Sequence, residues 1–218
     1  MKRLFFLLLL TPLALAHNFW LKLDGQRATL YYGHGSDEMQ YAREVVKKVS
    51  GLTSTGKPAK VSWQIEERHA VLQGQGDVAQ MGAEIDEGYW TKSTEGWKNK
   101  SKREVPHALA AEWSLSYSKV LLKPSACLNR SLGHKLEILP LTLEARRLHL
   151  RVTLDGKPLS KVSLSDGHEK SAETDDAGEA TVPYSQAVVY SVQTRQSLPN
   201  SPDADTYKLR AVLSLPAR

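Results

Sequence analysis

The sequence predicts an all-β protein with mainly antiparallel sheets, in which a β-sandwich N-terminal domain is followed by a small Ig-like β-sandwich domain. Short runs of alternating apolar and polar residues recur along the chain, and turn residues such as Asp-Gly separate them. Only residues 36–49 have an ambiguous helical spacing, and we expect at most one short helix there. A chain of 218 residues is long enough for one large β domain or two small ones.

The first 16 residues have the features of a cleaved secretory signal. The positively charged start "MKR" precedes the apolar run "LFFLLLL", and "ALA" forms a small-x-small cleavage site that ends at residue 16. The apolar stretch is shorter than the roughly 20 residues that a transmembrane helix needs. We therefore expect an exported product that is not membrane-embedded after cleavage, with His17 as its first residue.

The charge argues against a nucleic-acid-binding protein, and the cysteine content argues against a disulfide-stabilised one. The formal net charge of +5 falls to +3 when Lys2 and Arg3 leave with the predicted signal, and this bias is too weak to predict nucleic acid as a partner. Cys127 is the only cysteine, so no intramolecular disulfide can form. A hydrophobic core must therefore stabilise the exported fold.

The predicted N-terminal domain, residues 17–128, opens with a β-hairpin. The runs at residues 19–23 and 28–32 alternate between two faces, and Asp24-Gly25 is the turn signal between them. The later runs "AKVSWQIEE" and "HAVLQG" predict further strands of the same domain.

Residues 86–107 break the pattern of alternation. The segment "DEGYWTKSTEGWKNKSKREVPH" has no clear period, yet it contains three large aromatic residues, Tyr89, Trp90 and Trp97. Disordered segments are poor in aromatic residues, so we expect a long, ordered aromatic loop. Loops of this length in a compact domain are often functional, although bracing and crossover segments are the alternative.

Residues 129–218 form the predicted Ig-like domain, after a soft boundary near residues 124–134. The runs "KLEILPL", "RLHLRVTL", "GEATVPY", "AVVYSVQTR" and "TYKLRAVLSL" predict strands at short, regular spacing. Two Asp-Gly dipeptides, at residues 155–156 and 166–167, mark turns between them.

The phase of the opening hairpin brings two histidines to one face. Directly opposed residues point to the same face of paired strands. A two-residue Asp-Gly loop places His17 opposite Tyr32, with His34 on the diagonal, whereas a four-residue loop places His17 opposite His34. In both registers the two histidine Cβ atoms lie about 4.5 to 8 Å apart, which is close enough to share one metal ion.

A histidine at a mature N-terminus offers a free amine and a ring nitrogen on one residue, and the two form a chelate. His34 would complete a set of three nitrogen ligands, and tetragonal nitrogen sites favour Cu(II) or Ni(II). The α-amino group has a reference pKa of about 7.7 to 8.0, so a metal displaces its proton readily at neutral pH. The pattern predicts a metal site at His17 and His34, with ordinary surface histidines at strand ends as the alternative.

A third candidate ligand is His107, which follows the aromatic loop and could fold over the site. The side chains of Asp37, Glu38 and Met39 come closely after His34 and could supply a fourth ligand. The sequence has no G-x-S-x-G elbow, no phosphate-cradling glycine loop and no C-x-x-C pair. We therefore assign no catalytic residue and do not expect an enzyme.

Several of these segments resemble a family of periplasmic proteins encoded with cobalt and nickel uptake transporters, otherwise described as a domain of unknown function. The resemblance rests on "AHNFWL", "LYYGHG", "GYWTKSTEGWKNKSK", "YSKVLL", "GHKLEILPL" and "VTLDGKPLSKVSLSDG", in that order. It implies a secreted β-rich protein that handles Ni(II) or Co(II). His17 and His34 match the family's two histidine-bearing segments, and the aromatic loop is a candidate lid.

The sequence thus predicts a periplasmic binding protein that supplies or buffers nickel or cobalt for an import system. Its expected partners are the metal ion and an ABC-type nickel/cobalt importer in the inner membrane. One alternative is a copper-binding histidine-brace protein or a polysaccharide-cleaving copper monooxygenase, which would hold Cu(II). The second histidine follows only 17 residues after the first, and no disulfide can form, which both disfavour that enzyme. A metal-free interaction module is the other alternative.

Overall fold

A computed structural model of the chain describes residues 17–34, 37–144, 146–166, 170–184 and 187–216, with every side chain in these ranges except those of His34 and Lys170. The predicted signal, residues 1–16, lies outside the described residues. Within them, no helix has the length and apolar character that crossing a membrane requires.

The regular secondary structure of the described chain is almost entirely β-strand, and the pairing is mainly antiparallel, which confirms the predicted fold class. The strands are β1 (Asn18–Asp24), β2 (Arg27–His34), β3 (Asp37–Glu38), β4 (Val46–Leu52), β5 (Lys60–Glu66), β6 (His69–Gln75), β7 (Gln80–Ser93), β8 (Gly96–Lys98), β9 (Ala110–Leu121), β10 (Leu136–Leu143), β11 (Arg147–Leu154), β12 (Lys157–Pro158), β13 (Ser163–Ser165), β14 (Lys170–Glu173), β15 (Glu179–Pro183), β16 (Val188–Ser197) and β17 (Thr206–Leu215). Short 3-10 helices lie at Arg43–Val45, Lys102–Glu104 and Pro124–Cys127.

The opening hairpin pairs β1 with β2 as its alternation requires. Phe19 lies opposite Tyr32, which is the second of the two predicted registers. The predicted four-residue loop is wrong, because Asp24 pairs with Arg27 and Gly25 takes the positive φ of the resulting two-residue turn. β6 and β5 extend this sheet beyond β2, and β3 pairs with the end of β2. We call these five strands the N-terminal sheet.

A second sheet runs through both predicted domains. Its described strands have the order β14-β13-β16-β17-β9-β7-β4, and β8 pairs with β7. β9 and β17 are parallel over the whole of their pairing, whereas their other neighbours are antiparallel. Strands from both sides of residue 128 therefore belong to one sheet, which we call the shared sheet. The division into two domains at this residue stays a prediction.

The two faces of the shared sheet carry different hydrophobic cores. In β9, Val120 packs with the N-terminal sheet, whereas Leu121 packs with the C-terminal sheet formed by β10, β11, β12 and β15. In β17, Leu209 and the odd-numbered residues after it pack into the C-terminal core. Because neighbouring residues of a strand point to opposite faces, Lys208 and Arg210 lie on the face that the N-terminal sheet partly covers.

The predicted long aromatic loop at residues 86–107 is wrong. β7 continues through this segment to Ser93, and the chain then turns back as β8 and pairs with β7. A β-bulge between Asp86 and Gly88 shifts the side chains that follow by one position relative to β9. The bulge therefore interrupts the alternation, which explains why the sequence shows no strand period here.

Candidate metal and ligand site

A cavity of about 570 Å³ lies between the start of β1 and the polar face of the shared sheet. The N-terminal part of the chain contributes His17, Tyr32 and Met39 to its lining. The shared sheet contributes Glu87, Trp90, Trp97, Glu112, Ser114, Gln193, Arg195, Lys208 and Arg210. The cavity thus joins one predicted metal ligand to residues that are distant from it in sequence.

His17 lies at the outer end of the buried face of β1. Its imidazole centroid is 5.7 Å from the ring of Tyr32, which stacks on Phe19 at 4.4 Å. Residues 17 and 19 share a face of the strand, so His17 continues the row of core side chains to the point where the core ends. His17 is exposed, and a ligand in the cavity can therefore reach its ring.

The register of the hairpin places the backbone of His34 beside that of His17. Asn18 pairs with Gly33, so His17 and His34 are the next residues outward on the two strands. Gly33 has a φ of +146°, and an added Cβ would overlap the carbonyl oxygen of Asp37, where β3 folds back on β2. The side chain of His34 lies outside the described residues, so its role as a ligand stays a prediction.

Charged side chains of the shared sheet form the floor of the cavity. Arg195 and Lys208 are neighbours across β16 and β17, and both contact the Glu112 carboxylate, with N–O distances of 3.1 and 3.6 Å. Arg210 lies 3.5 Å from the carboxylate of Glu87. These five residues, which we call the charged floor, combine three cations with two carboxylates.

Arg210 is the most deeply buried cation of the charged floor, with 5% of its surface exposed. One terminal nitrogen donates to Gln193 Oε1 at 3.2 Å, but Nε has no hydrogen-bond partner among the described residues. Buried polar groups normally have partners. Burial and the nearby charge of Arg210 also lower the pKa of Lys208. The floor thus sets three cations against two carboxylates, and Arg210 Nε is left without an acceptor among the described residues.

Apolar side chains form the rim above this floor. The Trp90 indole donates to the carbonyl oxygen of Glu87 at 3.2 Å, which fixes the orientation of its ring. Trp97 on β8 and Met39 are 50% and 44% exposed, respectively. Glu87 reaches the cavity from the β-bulge in β7, and bulges commonly redirect side chains at functional sites. An apolar rim with a few converging polar groups is typical of a site for a small organic ligand.

His107 is not brought to the cavity. It is an exposed residue with a φ of +54° in the turn before β9, and it does not line the cavity that contains His17. Among the described side chains, no group of three His, Cys, Asp or Glu residues is placed to hold a metal ion, and this set excludes His34. A metal site at His17 therefore depends on the terminal amine and on His34.

One family model matches most of the chain. It covers residues 14–197 and is described as a domain of unknown function, DUF4198. The chain belongs to the DUF4198 family. The matched range includes His17 and three members of the charged floor, Glu87, Glu112 and Arg195. It ends before β17, which supplies Lys208 and Arg210. The comparisons with curated proteins and with solved structures give no match.

Sequence reasoning does not identify the charged floor of this DUF4198 protein. The run "TYKLRAVLSL" shows two cations at alternate positions of a strand, but such residues are ordinary on a solvated sheet face. The two cations indicate a binding site only once β17 is paired with β9 and β16, because these pairings bring the charged side chains together beside one cavity. Nothing in the local sequence predicts that parallel pairing.

Proposed function

We propose that this protein binds Ni(II) or Co(II) in the periplasm through the amine and imidazole of a mature N-terminal His17 and through His34. It supplies or buffers the metal for an ABC-type importer. The observation that carries the proposal is the position of His17, which lies at the cavity and next to His34 in the hairpin register. The sequence resemblance to proteins encoded with cobalt and nickel transporters supports the choice of metal and partner.

The chemistry of the terminal residue supports this role. Cleavage after residue 16 leaves an amine on a residue whose ring already lines the cavity. The amine and two imidazoles form a three-nitrogen set that leaves coordination positions open for water or another ligand. Because His17 is exposed, the metal can be exchanged with a partner, as a carrier requires.

A copper-binding protein is the second candidate, because the thioether of Met39 lines the same cavity as His17. Thioether ligands favour Cu(I), and Cu(II) generally binds nitrogen sites more tightly than Ni(II) or Co(II) does. A copper monooxygenase would in addition oxidise a polysaccharide when supplied with a reductant or peroxide. This oxidation assay separates the enzyme from a copper carrier.

Calorimetric titration with Ni(II), Co(II), Cu(II) and Zn(II) tests the proposal on the form that begins at His17. The binding free energy of zinc at four-ligand structural sites is about 10 to 16 kcal/mol, or roughly 3 kcal/mol per ligand. The loss of one ligand should therefore weaken metal affinity by roughly two orders of magnitude. We expect this loss for His17→Ala and His34→Ala. His149→Ala is the matched control, because His149 lies 3.0 Å from Glu179 on the C-terminal sheet. Unchanged affinities in the first two variants would refute the site.

A further inference from the structure

The cavity beside His17 is much larger than a metal ion requires. Its volume is about 570 Å³, whereas a water molecule occupies about 30 Å³ in the liquid. Three nitrogen ligands at one edge would leave most of this space open. Pockets of this size normally take a small organic molecule.

The charge of the floor opposes a bare divalent cation. Arg195, Lys208 and Arg210 outnumber the carboxylates of Glu87 and Glu112. A Ni(II) ion at His17 would add two positive charges beside a floor whose positive charge is already in excess. A ligand that carries carboxylates would offset both the metal and the floor.

Arg210 provides a specific contact for such a ligand. It is buried, it lines the cavity, and its one carboxylate neighbour among the described residues, Glu87, lies 3.5 Å away. Arginine presents its N–H groups in a planar fork that matches a carboxylate. Ser114 and Gln193 line the same cavity and add polar groups for further oxygens of the ligand.

The rim favours an organic anion over an inorganic one. Trp90, Trp97 and Met39 give the cavity a large apolar surface above the charged floor. Inorganic phosphate would satisfy the cations but would leave this surface without a contact. A carbon skeleton that carries carboxylates fits both parts of the cavity.

We infer that the cavity takes the metal as a complex with a small organic carboxylate, with the metal at His17 and the carboxylates at Lys208 and Arg210. This inference rests on the proposed function, and it specifies the chemical class of the cargo. The complex forms by coordination alone, so no covalent bond is made or broken.

Equilibrium dialysis of the form that begins at His17 tests this inference, with nickel alone, labelled citrate alone, and nickel with citrate at equal concentration. Retained nickel and retained citrate are both measured. We expect one nickel and one citrate per chain when both are present, and at least tenfold weaker retention of citrate without nickel. Replacing citrate with inorganic phosphate should weaken retention of the anion at least tenfold, because phosphate makes no contact with the apolar rim.

Arg210→Gln should weaken citrate retention at least tenfold while nickel alone is still retained, and Lys208→Gln should act in the same direction. The second variant guards against misfolding, because Lys208 is less buried than Arg210. Arg147→Gln is the matched control, since Arg147 is an exposed residue of β11. It should leave the retention of nickel and of citrate unchanged.

Nickel retained without citrate in the mixed experiment would overturn the inference and leave the proposed function standing. Citrate retained equally with and without nickel, or unaffected by both substitutions in the floor, would also overturn it. If no nickel is retained under any condition, the proposed function fails and the inference fails with it.

Discussion

Protonation of His134 should make the protein sensitive to mild acid. His134 follows Gly133 in a turn, and the sequence therefore suggests a solvated side chain, but the structure buries it to 4% exposure. Its ring lies 5.4 Å from that of Tyr117, and its Nε2 has no hydrogen-bond partner among the described residues. Burial lowers the pKa of His134 to about 4, although the carboxylate of Glu137 acts in the opposite direction.

The size of the effect follows from proton linkage. An unfolded histidine has a pKa of about 6.5, so between this value and the folded value of about 4 the unfolded chain binds a proton that the folded protein does not. Stability therefore rises with pH across this window and falls on acidification. Between pH 7 and pH 5 the loss is about 2 kcal/mol, a large part of the 5 to 15 kcal/mol that typically stabilises a domain.

Urea denaturation at pH 7 and pH 5 measures this loss. His134→Leu removes the titrating group, so its free energy of unfolding should fall by about 2 kcal/mol less than that of the wild-type protein between pH 7 and pH 5. The slope of this free energy against urea concentration should be unchanged. His149→Leu is the control, because His149 lies partly exposed beside Glu179. An equal pH dependence of the wild-type protein and His134→Leu would refute the linkage.

Three further predictions concern the core and the metal site. The buried Lys119 ammonium lies 2.8 Å from the Glu137 carboxylate, and Glu137→Gln removes this counter-charge. Urea denaturation should show a free energy of unfolding lowered by about 3 to 5 kcal/mol. Gly33→Ala places a Cβ against the Asp37 carbonyl oxygen at a positive φ, so calorimetry should show weakened nickel binding and circular dichroism a lowered melting temperature. Nickel affinity for the form that begins at His17 should fall at least tenfold from pH 7 to pH 6, because the amine must lose its proton and both imidazoles must be neutral, and a pH-independent affinity would contradict ligation by these groups.

The opening hairpin was predictable because its signal is local. Apolar residues alternate on both sides of Asp24-Gly25, and only some registers of β1 against β2 keep these residues on one face. The sequence leaves two registers open, and the structure has the second one, closed by a two-residue turn that begins at Gly25. Of the two, this register places the backbone of His34 next to that of His17 rather than on its diagonal, so turn geometry decides the finer detail of the predicted site.

The charged floor was not predictable because long-range pairing creates it. Glu112 and Lys208 come together only through the parallel pairing of β9 with β17, between segments almost a hundred residues apart. Alternation within each strand shows which residues share a face, but it does not choose the partner strand. The bulge that brings Glu87 to the cavity also interrupts the alternation of apolar and polar residues in β7, so the sequence does not predict a strand there.

Removal of the predicted signal should create half of a metal site at His17. The most direct test compares the nickel affinity of the form that begins at His17 with that of the same form acetylated at its terminal amine. Acetylation converts this amine to an amide, adds no other amine, and leaves both histidines in place. We predict a loss of roughly two orders of magnitude in affinity. Equal affinities would contradict the claim.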